Sequence, residues 1–145
     1  MTSDNCNPKV VLFAEDDVDD LYMCQRAVRN VGAAINMRIV PSALGVIKWL
    51  EGQGQCRNRD EFPMPELIVT DLKTPELSGI DLLRWIRGHP QFDDLPVIVH
   101  SGFGNPNELH ECRQLGATAC ITKNSDCTEL TQTIVDLLHL QPAGH

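Results

Sequence analysis

Residues 10–20 read "VVLFAEDDVDD". The first five form a continuous apolar run, β-branched at its start, which is the pattern of a strand buried on both faces. The next six hold five acids: Glu15, Asp16, Asp17, Asp19 and Asp20. A buried strand that delivers like charges at its C-terminal end needs a cation or a partner to offset their repulsion.

Downstream, strand-like runs alternate with helix-period stretches. Residues 18–31 carry Val18, Leu21, Tyr22, Ala27, Val28 and Val31 on roughly one helical face, and Gly32 is a natural stop. Residues 37–42, "MRIVPS", read as a short edge strand because Pro41 cannot donate to a ladder. Residues 43–52 read as a short helix. The polar, Gly- and Pro-rich stretch after it, to residue 66, reads as a surface loop. "LIVTD" (67–71) is a second buried strand ending in an acid. A helix over 79–89, with Ile80, Leu83, Trp85 and Ile86 at near-helical spacing, precedes the strand 96–101. The helix 107–116, the strand 118–122 and the amphipathic helix 126–140 complete the order. Five strands alternating with five helices predict an α/β fold, a parallel sheet covered on both faces by right-handed crossovers.

The 145 residues suit one domain, expected over 8–140 with flexible ends at 1–7 and 141–145. A net charge of −8 argues against nucleic acid and anionic membranes as partners. The N-terminus has neither a basic nor an apolar leader pattern, and no apolar run nears the roughly 18 residues of a membrane span. A cytoplasmic location is the expectation. The six cysteines include no C-x-x-C pair, so they read as reduced thiols acting mostly as small hydrophobes. The five histidines show no metal-ligand spacing and read as solvated or core residues.

In a doubly wound sheet the ligand binds at the C-terminal ends of the strands, where strand order reverses. That rule selects Glu15 and Asp16 after the first strand, Asp71 after the third, Ser101 after the fourth and Lys123 after the fifth. Glu15, Asp16 and Asp71 would meet at one edge and repel one another. Mg²⁺ would relieve the conflict, because it prefers hard oxygen ligands and keeps several waters. A metal beside a carboxylate, a lysine and a hydroxyl points to phosphoryl chemistry. Asp71 would be the nucleophile, Lys123 the cation that neutralises the transferred group, and Ser101 a hydrogen-bond donor to it.

The motifs "AED" (14–16), "DLKTPELSG" (71–79), "PVIVHSG" (96–102) and "ITK" (121–123), in this order and each at a strand end, resemble the receiver domain of two-component response regulators over about residues 8–140. The resemblance implies a (βα)5 flavodoxin-like fold with strand order 2-1-3-4-5. It implies that Asp71 is the phosphoacceptor, that Glu15 and Asp16 are the acidic metal pair with Asp16 the more direct ligand, and that the Lys73 backbone carbonyl completes the protein's share of the Mg²⁺ coordination. Ser101 matches the family's hydroxyl and Lys123 its phosphate-pairing lysine, while Pro75 and Gly79 fit the loop after the acceptor. The implied partner is a histidine kinase or a phosphotransfer protein. The "AEDDVDD" opening and the long loop before the third strand are most similar to regulators of phytochrome-type kinases. The chain's end soon after the fifth helix implies a single-domain regulator rather than an enzyme, with homodimerisation left open.

Two positions depart from the family pattern. Cys120 replaces an aromatic residue three before the lysine, and Asn124 replaces the proline after it. Cysteine is too small for the same steric switch, and a cis bond before Asn124 is not expected. Lys73 is expected to modulate hydrolysis of the acyl phosphate, reaching the phosphoryl group or bridging to Glu15, and Gly102 to ease entry of a phosphodonor. The rival readings are a receiver-fold binding module that acts without phosphorylation, a flavin or nucleotide binder and an aspartyl hydrolase. Glu15 and Asp16 disfavour a phosphate cradle after the first strand, and Lys73 stands where the hydrolase comparison needs a second aspartate. "DDVDDLYMCQRA" (16–27) lacks the Gly and Glu of an EF-hand loop.

Overall fold

The computed structural model describes residues 8–102, 106–123 and 127–141. Its elements are β1 (Lys9–Ala14), α1 (Val18–Val31), β2 (Ile35–Val40), α2 (Ala43–Glu51), β3 (Leu67–Thr70), α3 (Gly79–Arg87), β4 (Val97–Ser101), α4 (Pro106–Gln114), β5 (Ala119–Thr122) and α5 (Thr128–Leu137). The five strands are parallel and lie in the order β2-β1-β3-β4-β5. This is the α/β, flavodoxin-like arrangement expected, and the order reverses between β1 and β3. The ends at 1–7 and 142–145 lie outside the described residues, as does Asn124.

Alternation along each strand sends successive side chains to opposite faces. Leu12, Ile68, Val97 and Val99 meet Val46, Trp49, Leu82, Leu83, Ile86 and Cys112 from α2, α3 and α4. Val11, Phe13, Leu67, Val69, Ile98 and Ile121 meet Cys24 and Val28 of α1 and Leu130 and Ile134 of α5. The inner strands β1, β3 and β4 are apolar for most of their length because both faces are covered.

Short polar residues start the helices. Asp17 Oδ1 accepts from the amides of Asp19 (2.9 Å) and Asp20 (3.0 Å), capping α1. Ser42 and Ser78 do the same for α2 and α3. Gly32 closes α1 with a φ of 69°, a left-handed conformation that glycine adopts without steric cost.

Two expectations are corrected. β2 is the edge strand, but it spans 35–40 rather than 37–42, with Pro41 just beyond its end. On α1, Val18 (76% exposed) and Tyr22 (61%) face solvent, while Cys24 and Val28 are buried. At about 100° per residue, Val18 and Tyr22 sit about 120° and about 160° around the helix from Cys24, well away from the line through Asp20, Cys24 and Val28. Hydrophobicity alone did not identify the inward face.

The long loop 52–66 is pinned rather than merely superficial. Trp49 Nε1 donates to the Pro63 carbonyl at 2.8 Å, and its ring meets Phe62 edge-on at 5.0 Å. Arg59 donates to the carbonyls of Trp49 (2.8 Å), Phe62 (3.1 Å) and Leu50 (3.2 Å), so it satisfies the open end of α2. Trp49 is a packing residue of the core.

Candidate functional site

The ladders around β1 run one step past the strand and hold the acids in place. The Glu15 amide donates to Val40 O at 3.0 Å, and the Asp71 amide to Ala14 O at 3.3 Å. Both carboxylates thus emerge at the switch point. With Asp16, Asp17, Asp20, Lys73, Ser101, Gly102 and Lys123 they line a cleft of about 610 Å³. Every side chain selected from the sequence therefore borders one space.

The Lys123 ammonium stands at the centre of the acids. Its Nζ lies 2.7 Å from Glu15 Oε1, 2.6 Å from Asp20 Oδ2 and 2.9 Å from Asp71 Oδ2. Burial works against this charge, but the hydrogen bonds it donates to Asp20, Glu15 and Asp71 outweigh it and hold the ammonium above the ordinary lysine range. Within the "EDDVDD" cluster, this lysine is the cation paired with Glu15 and Asp20. Glu15 is nearly buried. Desolvation raises its pKa, opposed by Lys123 and by the Asp17 amide at 3.1 Å, while the charge of Asp71 adds to the rise.

Asp20 was missed in the sequence. Its signal was spacing: it stands four residues before Cys24 and eight before Val28, on the inward line of α1. Asp17 caps α1 and Asp19 lies in its first turn, where the positive end of the helix favours an acid.

Among the described residues, no three His, Cys, Asp or Glu side chains converge on a common ion position. Lys123 draws Glu15 and Asp71 to itself, and Asp16 stands exposed. The donor chemistry nevertheless suits a hard cation. Asp71 gives only Oδ2 to Lys123, and its Oδ1 has just a long 3.4 Å contact from the Lys73 amide. Lys73 is exposed, and the bridge to Glu15 is not formed because Lys123 and the Asp17 amide occupy that carboxylate.

The loop after β3 depends on close packing. A Cβ on Gly79 would lie 2.4 Å from the Asp71 carbonyl oxygen and 3.1 Å from Leu72 Cα, so glycine is required here by space. Its amide donates to Leu72 O at 2.8 Å. Thr74 Oγ1 accepts from the Ala43 amide at 3.1 Å and donates to the Leu77 carbonyl, tying the loop to α2. At Gly102 an added Cβ would make only ordinary contact with the Lys123 stem at 3.7 Å.

Ser101 is buried at the end of β4, and its carbonyl accepts from the Lys123 amide at 2.8 Å. Cys120 is half-buried, with its thiol 3.8 Å from the Leu109 carbonyl of α4. His100, read as solvated or core, is core: 4% exposed, with no hydrogen-bond partner for Nε2 among the described residues. Burial and then the Lys123 charge push its pKa down to about 4, against weaker pulls from Asp71 and Asp20.

The family model for the "Response regulator receiver domain" matches residues 11–135. Response regulator Rcp1 of Synechocystis sp. is 25% identical over 134 residues, covering 92% of this chain and 89% of Rcp1. The polar-differentiation response regulator DivK of Brucella ovis is 30% identical over 74 residues, 51% of this chain and 60% of DivK. The crystal structure of Mn(2+)-bound Rcp1 superposes with a TM-score of 0.78 at 24% identity, covering 94% of this chain and 98% of that one. That of the phosphorylated cyanobacterial phytochrome response regulator RcpA gives 0.77 at 25% identity, with 90% and 91% covered.

Proposed function

The chain belongs to the response regulator receiver family of two-component signalling, and on that premise we propose that it accepts a phosphoryl group on Asp71. The observation that carries the proposal is the pairing of Asp71 Oδ2 with Lys123 Nζ at 2.9 Å, in a cleft that Asp16 and Ser101 also line. Oδ1 attacks the phosphorus of a phosphohistidine. The O–P bond forms as the N–P bond breaks, and the electron pair returns to the imidazole nitrogen, which takes a proton. Lys123 then turns from the carboxylate to a phosphoryl oxygen, and the Ser101 hydroxyl donates to another.

Asp16, Asp71 and the Lys73 carbonyl are the groups that would hold Mg²⁺, with Glu15 behind them. When bound, the ion neutralises charge on the transferred group. The likeness to RcpA, a cyanobacterial phytochrome response regulator, supports a phytochrome-type histidine kinase as donor. No helix among the described residues is long and apolar enough to cross a membrane, and a cytoplasmic donor fits this proposal. The acyl phosphate would bias the domain between two conformations. Cys120 stands where the resemblance expects an aromatic switch, so the output runs through other contacts.

The test adds a small phosphodonor with Mg²⁺ and weighs the intact protein. A gain of about 80 Da, absent in Asp71→Asn and blocked by a chelator, is expected for an aspartyl phosphate. No gain, with beryllofluoride binding also absent, would instead establish a binding module that acts without phosphorylation.

A further inference from the structure

Below the acidic cleft, on the face covered by α1 and α5, two sulfurs from distant parts of the chain meet. Cys24 Sγ of α1 lies 3.7 Å from Cys127 Sγ, across 103 residues of sequence. Both residues are buried, at 3% and 4% exposure. Cys24 stands four residues after Asp20, and Cys127 four residues after Lys123. On α1, Cys24 therefore stands one helical turn from Asp20, whose Oδ2 accepts from the Lys123 ammonium at 2.6 Å.

The backbone at Cys127 is unusual. It is the N-cap of α5, in the left-handed region at φ 56° and ψ 21°, and its side chain makes no capping hydrogen bond. The side chains that most often cap helix starts are Ser, Thr, Asp and Asn. Here the position holds a thiol directed at Cys24, in a conformation that costs a non-glycine residue energy. Two cysteines acting only as small hydrophobes need neither feature.

We propose that Cys24 and Cys127 are a redox-modification site, and that their disulfide fastens α1 to the start of α5 and restrains Lys123. The oxidant is a peroxide. One thiolate attacks the O–O bond of hydrogen peroxide and becomes a sulfenic acid as the first water leaves. The second thiol then attacks that sulfur, the S–S bond forms and the hydroxyl departs as the second water. Two thiols are oxidised by two electrons and one peroxide is reduced to two waters. Closure from 3.7 Å to the roughly 2.05 Å of an S–S bond is within the reach of side-chain rotation and a small shift of α5. Burial holds the Cys24 thiol well above its ordinary pKa, so the reaction is slow and follows opening of the α5 start.

The regulatory half of this proposal rests on phosphorylation at Asp71. Lys123 has to leave its carboxylates to meet the phosphoryl group, and a covalent tie between the elements on either side resists that movement.

The protein is treated with hydrogen peroxide, quenched, weighed and digested without reduction. The expected result is a loss of about 2 Da and a peptide pair joining Cys24 to Cys127. The oxidised protein should melt roughly 5–10 °C higher, because the crosslink closes a loop of about a hundred residues. Its phosphoryl uptake from a small donor should be several-fold slower and return on reduction. Cys24→Ala and Cys127→Ser should each abolish the 2 Da loss and the slowing. Linkage through other cysteines, or oxidation to higher acids without an S–S bond, would overturn the proposal, as would a Cys24–Cys127 bond that leaves the rate of uptake unchanged. Failure of the reduced protein to take up phosphate at all would count against the Asp71 reading, while the peptide map would still decide the disulfide.

Discussion

Replacing His100 with valine tests how the sheet treats a titratable group one residue from Ser101. The imidazole is 4% exposed and Nε2 has no partner among the described residues. Burial and the Lys123 charge lower its pKa from 6.5 to about 4. Above pH 6.5 the ring is neutral in the folded and the unfolded chain and contributes no pH dependence. Between 6.5 and 4 the unfolded chain takes up a proton that the folded one refuses, so stability falls with pH. Below 4 both are protonated and the cost is complete, at about 3 kcal/mol. By pH 5 it should already be about 2 kcal/mol. Valine suits a doubly buried strand and has no polar atom to satisfy. Urea denaturation of both proteins in chelator from pH 7.5 to 4.5 isolates the effect, since the carboxylates largely cancel in the difference. His100→Val should gain on the wild type by about 2 kcal/mol between pH 7 and pH 5. A constant difference across that range would show that the folded protein accommodates the imidazolium, and would refute the reasoning.

Three further outcomes follow from the geometry. Gly79→Ala forces a Cβ against the Asp71 carbonyl at 2.4 Å. It should cost about 1–3 kcal/mol and slow phosphoryl uptake, read by denaturation and intact mass; a fully stable, fully active variant would show that the loop yields freely. Lys123→Met removes the cation from Glu15, Asp20 and Asp71. The Glu15 carboxyl should then titrate at higher pH by NMR, and phosphoryl uptake should fall at least tenfold. Arg59→Ala removes three hydrogen bonds to backbone carbonyls at the end of α2 and in the loop after it. It should lower stability by roughly 1–3 kcal/mol while the rate of phosphoryl uptake stays unchanged, since the loop it pins lies away from the cleft.

The errors in reading the chain have a common origin. Val18 and Tyr22 look like core residues because they are apolar, yet the inward line of α1 is set by where the sheet lies, and it runs through Asp20, Cys24 and Val28. An acid on that line at the first turn faces the strand ends, where polar side chains collect. Arg59, in a stretch with the composition of a free loop, hydrogen-bonds the end of a helix that precedes it by only a few residues. No local pattern marks such an anchor, because its partners are backbone carbonyls.

The strands, their alternation with helices and the residues at their ends were legible in the sequence, because burial on both faces imposes continuous apolar runs and the following residue must leave the sheet. The resemblance added the strand order and the metal-binding role expected of the Lys73 carbonyl. Tertiary structure alone decided that Lys123 reaches three carboxylates at once and that Cys24 meets Cys127. Those are distances between residues 52 to 108 apart in sequence. They depend on how the sheet twists and where each helix packs, which no local pattern of residues encodes.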